Sequence, residues 1–259
     1  MYDQITPLII TYNEAPNVRR ALDKLRWARR IVVIDSGSTD DTVPLVKTYP
    51  QVEVIAHPFA DFASQCNYGL SQIATPWVLS LDADYVLTDT LIDELGSLRP
   101  ADCAVGYQAR FTYLIHGHQL HGTLYPPRTV LYRTPGARYR QEGHGHRVTV
   151  DGDVLPLRGM IFHDDRKPLA RWVASQRRYA CEEAEYLLAR EARLLTRADR
   201  IRRMGWPAPL AVLFYTLFIK GCLLDGWAGW YYALQRFIAE GLIALEINDR
   251  RLSRRARCR

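Results

Sequence analysis

The chain has 259 residues, 48% hydrophobic and 24% charged, an ordinary globular composition with ample length for a large core. Its formal charge of +6 is uneven: residues 1–170 carry 17 Lys and Arg against 19 Asp and Glu, while residues 171–259 carry 17 against 9. Five scattered cysteines (Cys66, Cys103, Cys181, Cys222, Cys258) form no C-x-x-C pair, which argues against a disulfide frame or a zinc site and for reduced thiols in a cytosolic protein.

No basic and then apolar leader follows Met1-Tyr2-Asp3-Gln4, so no signal peptide is expected. Thr6–Thr11 reads as a strand and Tyr12-Asn13-Glu14 as the loop after it. A helix is expected over about 16–27, with Val18, Ala21, Leu22 and Leu25 on one face. Ile31–Ile34 is a second strand, ending in Asp35-Ser36-Gly37-Ser38-Thr39-Asp40-Asp41. A helix to about 49, a strand at Val52–Ala56 and a helix near 63–74 follow. The apolar strand Trp77–Leu81 then runs into Asp82-Ala83-Asp84. Strand–helix repetition at this spacing predicts a doubly wound, Rossmann-like α/β fold with a mostly parallel sheet, whose ligands bind at the strands' C-terminal ends.

The candidate residues sit in those end loops. Alternation turns Asp82 and Asp84 to the same side, and hard oxygen ligands so placed suit Mg²⁺ or Mn²⁺ shared with a diphosphate; a solvated turn is the plain alternative. Asp35 follows an apolar strand and is placed to accept from a base N–H or a ribose hydroxyl. The Tyr12 ring is placed to stack on a base, and Glu14 offers another acceptor. Ser38, Asp40 and Asp41 are read mainly as helix caps, and Asn13 as a cap too. Gln65 and Asn67 lie on the third helix, where simple surface exposure explains them. His116, His118 and His121 could suggest zinc, but Gly117 and Gly122 and the lack of neighbouring cysteines favour a polar loop.

Three segments, TPLIITYNE, VVIDSGSTDDT and FADFASQCNYGLSQIATPWVLSLDADY, resemble in order and spacing the inverting glycosyltransferases of family 2, which have the GT-A fold. The resemblance covers about residues 5–165. Within the family it extends to the lipopolysaccharide-core β-glucosyltransferase type, through His121-Gly122-Thr123-Leu124-Tyr125-Pro126, Val150-Asp151-Gly152 and Leu224-Asp225-Gly226. It implies a nucleotide-sugar donor, by default a uridine diphosphate hexose, and a lipid-linked or lipopolysaccharide-type glycan acceptor, with no nucleic-acid partner. Thr11, Tyr12, Glu14 and Asp35 would hold the base and ribose with Asn67 nearby. Asp84 would bind the metal, Asp82 would bind it indirectly or face the ribose, and His163 would be a third ligand, a buried, hydrogen-bonded core histidine being its plain alternative. Cys66 stands where the family often has Arg or Lys, and Tyr85 where it often has an acid, so Arg128 is expected to help meet the phosphate charge. The resemblance places the proton-accepting base before Val150-Asp151-Gly152. Glu142 is favoured there, while strict counting gives His146, a residue type whose free side chain changes charge near neutral pH. The alternatives are a nucleotide-sugar-binding protein without catalysis or a protein or exopolysaccharide glycosyltransferase, and a nucleotidyltransferase is disfavoured because the sequence carries no basic phosphate-binding loop of its type.

Residues 1–169 are thus expected to form the GT-A catalytic domain and 170–259 a basic helical region. In the latter, 170–203 reads as one long helical stretch. Trp206–Ile219 is an apolar run too short to span a bilayer, and Trp227–Ile247 is aromatic and then amphipathic. Trp, Tyr and Arg around short apolar helices point to attachment at an anionic membrane surface, on the inner face of the cytoplasmic membrane. A bundle packed on the catalytic domain or on a second copy is the other reading.

Overall fold

A computed structural model of the chain describes residues 1–100, 103–142 and 145–257, with the side chains of Glu142, His146 and Arg257 outside the described residues, as are His144 and Cys258. In chain order the strands are β1 (Ile5–Thr11), β2 (Ile31–Asp35), β3 (Val52–Ala56), β4 (Trp77–Asp82), β5 (Tyr85–Leu87), β6 (Ala104–Ile115), β7 (His118–Gln119), β8 (Arg128–Arg133), β9 (Arg138–Glu142), β10 (Gly145–Thr149) and β11 (Asp153–His163). The α-helices are α1 (Val18–Asp23), α2 (Thr42–Val46), α3 (Phe62–Ser71), α4 (Asp89–Ser97), α5 (Leu169–Ala189), α6 (Arg197–Met204), α7 (Pro207–Phe214) and α8 (Gly226–Arg257). They group into two compact units, residues 1–117 with 125–167 and residues 118–124 with 168–259.

The first unit is built on a sheet in the order β3-β2-β1-β4-β8-β6-β11-β5. The first four strands are parallel, as strand–helix alternation requires. Beyond them β8 runs antiparallel to both β4 and β6, β11 parallel to β6, and β5 antiparallel to β11. This is the curled, mixed sheet of the GT-A fold.

The apolar runs are continuous because both faces are covered. Ile5, Ile9, Ile31, Val33, Trp77 and Leu79 point to the side packed by Val18, Leu22 and Leu25 of the α1 segment. Their neighbours Leu8, Val32, Ile34 and Val78 point to the side packed by Ala63, Cys66 and Leu70 of α3. Period-two alternation along each strand thus feeds two cores at once. The hairpin β9–β10 forms its own two-stranded sheet and is anchored to the second core by the buried Tyr139.

Helices α1, α2 and α3 are shorter than the sequence pattern suggests, because their last turns tighten to bonds three residues apart, such as Leu25 N–H to Leu22 O, Thr48 N–H to Leu45 O and Gln72 N–H to Gly69 O. Asp61 does cap α3, accepting from the Ser64 backbone N–H at 2.8 Å. In the loop Ser38–Asp41, Asp40 caps α2 as expected, accepting from the Thr42 N–H at 3.0 Å, whereas Asp41 at the N-cap position makes no side-chain cap bond.

In the second unit the stretch read as one helix over 170–203 is two, α5 and α6, separated by a 3-10 turn at Ala192–Leu194. A capping box of Thr196 and Asp199 starts α6. Ala180, Ala184 and Leu187 of α5 pack with Ile243 and Ile247 of α8. Arg202 of α6 bonds Glu183 at 2.6 Å and Glu240 at 3.0 Å, tying the three helices together. The apolar run after Trp206 is α7 followed by a π-helical turn at Tyr215–Ile219. Among the described residues no single helix is long and apolar enough to cross a membrane, while 207–219 and 222–256 form a pair bent by 74°.

Candidate active site

Parallel pairing sets the ends of β1, β2 and β4 side by side: Thr11 pairs with Asp35, and Ile10 with Asp82. Thr11 Oγ1 donates to Asp35 Oδ1 at 3.0 Å. Asp35 is buried and also accepts from the Gly37 and Ser38 N–H groups at 3.0 and 2.8 Å and from the Ser38 hydroxyl. Its two oxygens are therefore occupied in shaping the loop. Asn13, in the left-handed region at φ 57°, accepts from the Thr39 and Asp40 N–H groups through its side chain. Ser38 in turn accepts from the Asn13 N–H at 2.8 Å. Asn13, Ser38 and Asp40 thus brace the loops after β1 and β2 to each other, and they leave the Tyr12 ring exposed at the rim.

Gln65 and Asn67, read as exposed, are engaged. Gln65 is fully buried and links Ser36 and His57. Asn67 makes a two-way bond with the Tyr139 backbone, Nδ2 to O at 3.0 Å and N to Oδ1 at 2.9 Å. Burial of this polar face reflects β9, whose free edge α3 satisfies. Asn67 thus holds the hairpin whose far end carries Glu142 and His146; in that hairpin His146 pairs in register with Gln141, and Gly145 with Glu142.

The end of β11 completes the acidic centre. Its register sets His163 opposite Tyr85, and His163 Nε2 lies 3.2 Å from Asp84 Oδ2. Tyr85, Tyr113 and Tyr125 surround the imidazole, with ring centres 5.3, 4.5 and 4.9 Å away. Asp82 is half-buried. Arg128, on β8, lies over the Tyr125 ring at 4.7 Å; burial opposes its positive charge and the carboxylate of Asp82 favours it. Among the described residues, Asp84 Oδ1 and His163 Nδ1 are buried without a hydrogen-bond partner. Burial opposes ionisation of Asp84, but His163 and Lys167 outweigh it and hold its carboxyl below the usual range. Among the described residues no three His, Cys, Asp or Glu side chains make an all-protein metal cluster. Two donors with one orphaned carboxylate oxygen fit a hard cation that takes its other ligands from a diphosphate and water.

Sequence reasoning missed Lys167. Its ammonium lies 3.0 Å from Glu14, 3.3 Å from Asp165 and 3.8 Å from Asp84, on a side chain only 17% exposed. Asn17 fastens the same corner, donating to Glu14 and to Asp165, each at 2.9 Å. Arg20 and Arg166 are both paired with Asp164. The signal was present as the run His163-Asp164-Asp165-Arg166-Lys167 directly after an apolar strand.

Burial pushes the Glu14 carboxyl up to about 7, with Lys167 and Asn17 pulling it down and Asp84 adding to the rise. Between its ordinary 4.5 and about 7, the native state holds a proton that the unfolded chain has released. Stability therefore falls as pH rises through that window. Relative to Glu14→Gln, the wild type should lose on the order of 2–3 kcal/mol across it in urea unfolding; parallel profiles would contradict the buried acid.

In the second unit the His121-Gly122 and Leu224-Asp225 motifs meet. The buried Asp225 carboxylate accepts from the His121 backbone N–H at 3.1 Å and bonds the imidazole Nδ1. A Cβ on Gly122 would fall 2.1 Å from the Lys220 carbonyl oxygen, so only glycine fits.

Three adjacent strand-end loops around an acidic pair, on a half-parallel and half-mixed sheet, define a GT-A nucleotide-sugar enzyme. The chain matches the family described as glycosyl transferase family 2 over residues 7–144, more than half its length, and belongs to that family. It is similar to an uncharacterized glycosyltransferase, RP128, of Rickettsia prowazekii, with 26% identity over 91% of this chain and 85% of that one. It is also similar to the lipopolysaccharide core biosynthesis glycosyltransferase LpsC of Rhizobium meliloti, with 29% identity over 70% of each. Among solved structures, the mannosyltransferase PcManGT of Pyrobaculum calidifontis in complex with GDP-Man and Mn²⁺ shares the fold at a TM-score of 0.53. There the identity is 17%, over 95% of this chain and 87% of that one. S. aureus TarS in complex with UDP-GlcNAc does so at 0.50, with 14% identity over 96% and 92%.

Proposed function

We propose that the chain is a metal-dependent, inverting hexosyltransferase that moves a sugar from a nucleoside-diphosphate donor, of the UDP type, to a lipid-linked or lipopolysaccharide-type glycan. The observation that carries this reading is the Asp84–His163 pair with its orphaned carboxylate oxygen at the end of β4. Thr11, Tyr12, Glu14, Asp35 and Asn67 belong to the nucleoside side, with Asp35 and Asn67 acting through the loop and hairpin they hold. Asp84, with His163 and Asp82, would hold Mg²⁺ or Mn²⁺, and Arg128 would face the phosphates. When bound, the cation supplies positive charge to the departing diphosphate. Donors of this kind are bound by fold neighbours, GDP-Man with Mn²⁺ in one and UDP-GlcNAc in the other, and LpsC supports an envelope-glycan acceptor.

In the transfer, an acceptor hydroxyl oxygen bonds to the anomeric carbon from the face opposite the diphosphate. The bond from that carbon to the phosphate oxygen breaks, and the diphosphate keeps the electron pair. Glu142 or His146, on the hairpin held by Asn67, takes the hydroxyl proton. The test is nucleoside-diphosphate release from a panel of UDP- and GDP-sugars with Mn²⁺ and with a chelator. Release with at least one donor, abolished by chelation, is expected; release indifferent to the chelator would overturn the metal-dependent reading.

We read residues 1–169 as the catalytic domain and 170–259 as a region that attaches peripherally to the cytoplasmic membrane face. Leu210, Phe214, Phe218, Ile219, Leu224 and Trp227 are all more than half exposed, far more apolar surface than a solvated face needs, and arginines follow in the chain. Flotation with vesicles containing anionic phospholipid should be lost in a Phe218→Asp, Leu224→Asp double variant. Undiminished flotation would sink the attachment claim.

A further inference from the structure

Three carboxyl groups, Glu14, Asp84 and Asp165, face one ammonium, that of Lys167. The two nearby guanidinium groups, of Arg20 and Arg166, are taken by Asp164. One oxygen of Asp84 has Lys167 on its side, and the other, on a residue 93% buried by its 7% exposure, has no partner. A divalent cation at that second oxygen would stand within a few ångströms of a fixed positive charge. In a partly desolvated pocket such repulsion is strong. A diphosphate arriving with the cation brings the negative charge that offsets it.

We propose that Lys167 is the resident counter-ion of this centre and makes cation uptake at Asp84 conditional on the nucleotide diphosphate. The inference rests on the metal-site reading above and adds to it a positioning residue that sets the order of assembly. Without donor, Lys167 keeps Glu14, Asp165 and Asp84 compensated and holds the cation affinity low. With the diphosphate in place, cation and nucleotide strengthen each other's binding. Reciprocity requires that the gain be the same from either side.

The experiment is Mn²⁺ binding to the full chain, read by the paramagnetic resonance signal of free Mn²⁺, with and without UDP. Wild type should bind Mn²⁺ weakly alone and much more tightly with UDP. Lys167→Met should bind Mn²⁺ alone roughly tenfold to a hundredfold more tightly than wild type, and the gain from UDP should shrink by the same factor. Asp165→Asn, which withdraws one of the lysine's partners, should weaken nucleotide-free binding roughly threefold or more. A purely structural ion pair would lower thermal stability in Lys167→Met and leave Mn²⁺ affinity where it was, which would overturn the proposal. If that variant does not fold, Asp165→Asn decides, since unchanged Mn²⁺ affinity there contradicts the same charge balance. Wild type that binds no Mn²⁺ even with UDP would instead remove the metal site itself.

Discussion

Asp84→Asn is expected to lower nucleoside-diphosphate release by about 10³-fold, equivalent to ~4 kcal/mol of barrier, while the chain stays folded. Asparagine keeps the shape of the buried side chain but removes the anionic oxygen that has no other partner. Lys167 still has Glu14 and Asp165, at 3.0 and 3.3 Å, so no unpaired charge is left behind, and the stability cost should stay near ~1–2 kcal/mol. Asp82→Asn is the internal comparison. That side chain is half-buried and lies at the strand's end rather than behind it, so a loss closer to tenfold is expected. Equal and small effects at both positions would mean that the pair is only a turn. A nucleotide-sugar binder without catalysis would show no release in wild type with any donor, and would still lose metal-linked nucleotide binding in Asp84→Asn.

The strand ends were legible because short, wholly apolar runs announce strands covered on both faces, and each ran into a polar loop. Sequence pattern therefore places Thr11, Asp35 and Asp82 on one sheet edge, and their register bears that placement out. Periodicity says which helical residues are apolar, but not whether a polar residue turns inward to satisfy another backbone. Gln65 and Asn67 looked exposed for that reason, although one is buried and the other serves the β9 edge. Lys167 was hidden by distance of a different kind. Its place beside Glu14 depends on β11 running next to β5 and β6, pairings across about 50 to 80 residues that no local pattern encodes. Likewise Asp225 and His121, 104 residues apart, were each visible as part of a motif but not as each other's partner.

The dependence of the centre on β11 gives a second large effect, far from the acids themselves. Gly159 lies where β11 slips register against β6, between Pro156 and Met160, and α4 crosses it there at close range. A Cβ at Gly159 would fall 2.4 Å from Leu91 Cα and 2.7 Å from Leu91 N. Those are backbone atoms of a helix, so no rotamer change relieves the overlap. Glu94, one turn along α4, accepts from the Gly159 N–H at 2.8 Å and from the Arg158 N–H at 3.0 Å, which fixes the crossing from the other side. Gly159→Ala should therefore cost about 3 kcal/mol or more, at the upper end of overpacking. The loss should not be confined to stability. Four residues on, the same strand delivers His163 to Asp84, and the loop beyond it delivers Lys167 to Glu14. Material that still folds should bind UDP with Mn²⁺ several-fold more weakly, whereas Glu94→Ala, which frees two N–H groups without inserting an atom, should lose stability by about 1–2 kcal/mol with nucleotide binding nearly intact. Equal stability of Gly159→Ala and wild type in urea unfolding would show that α4 can move away from the strand, and that the position of β11 is set elsewhere.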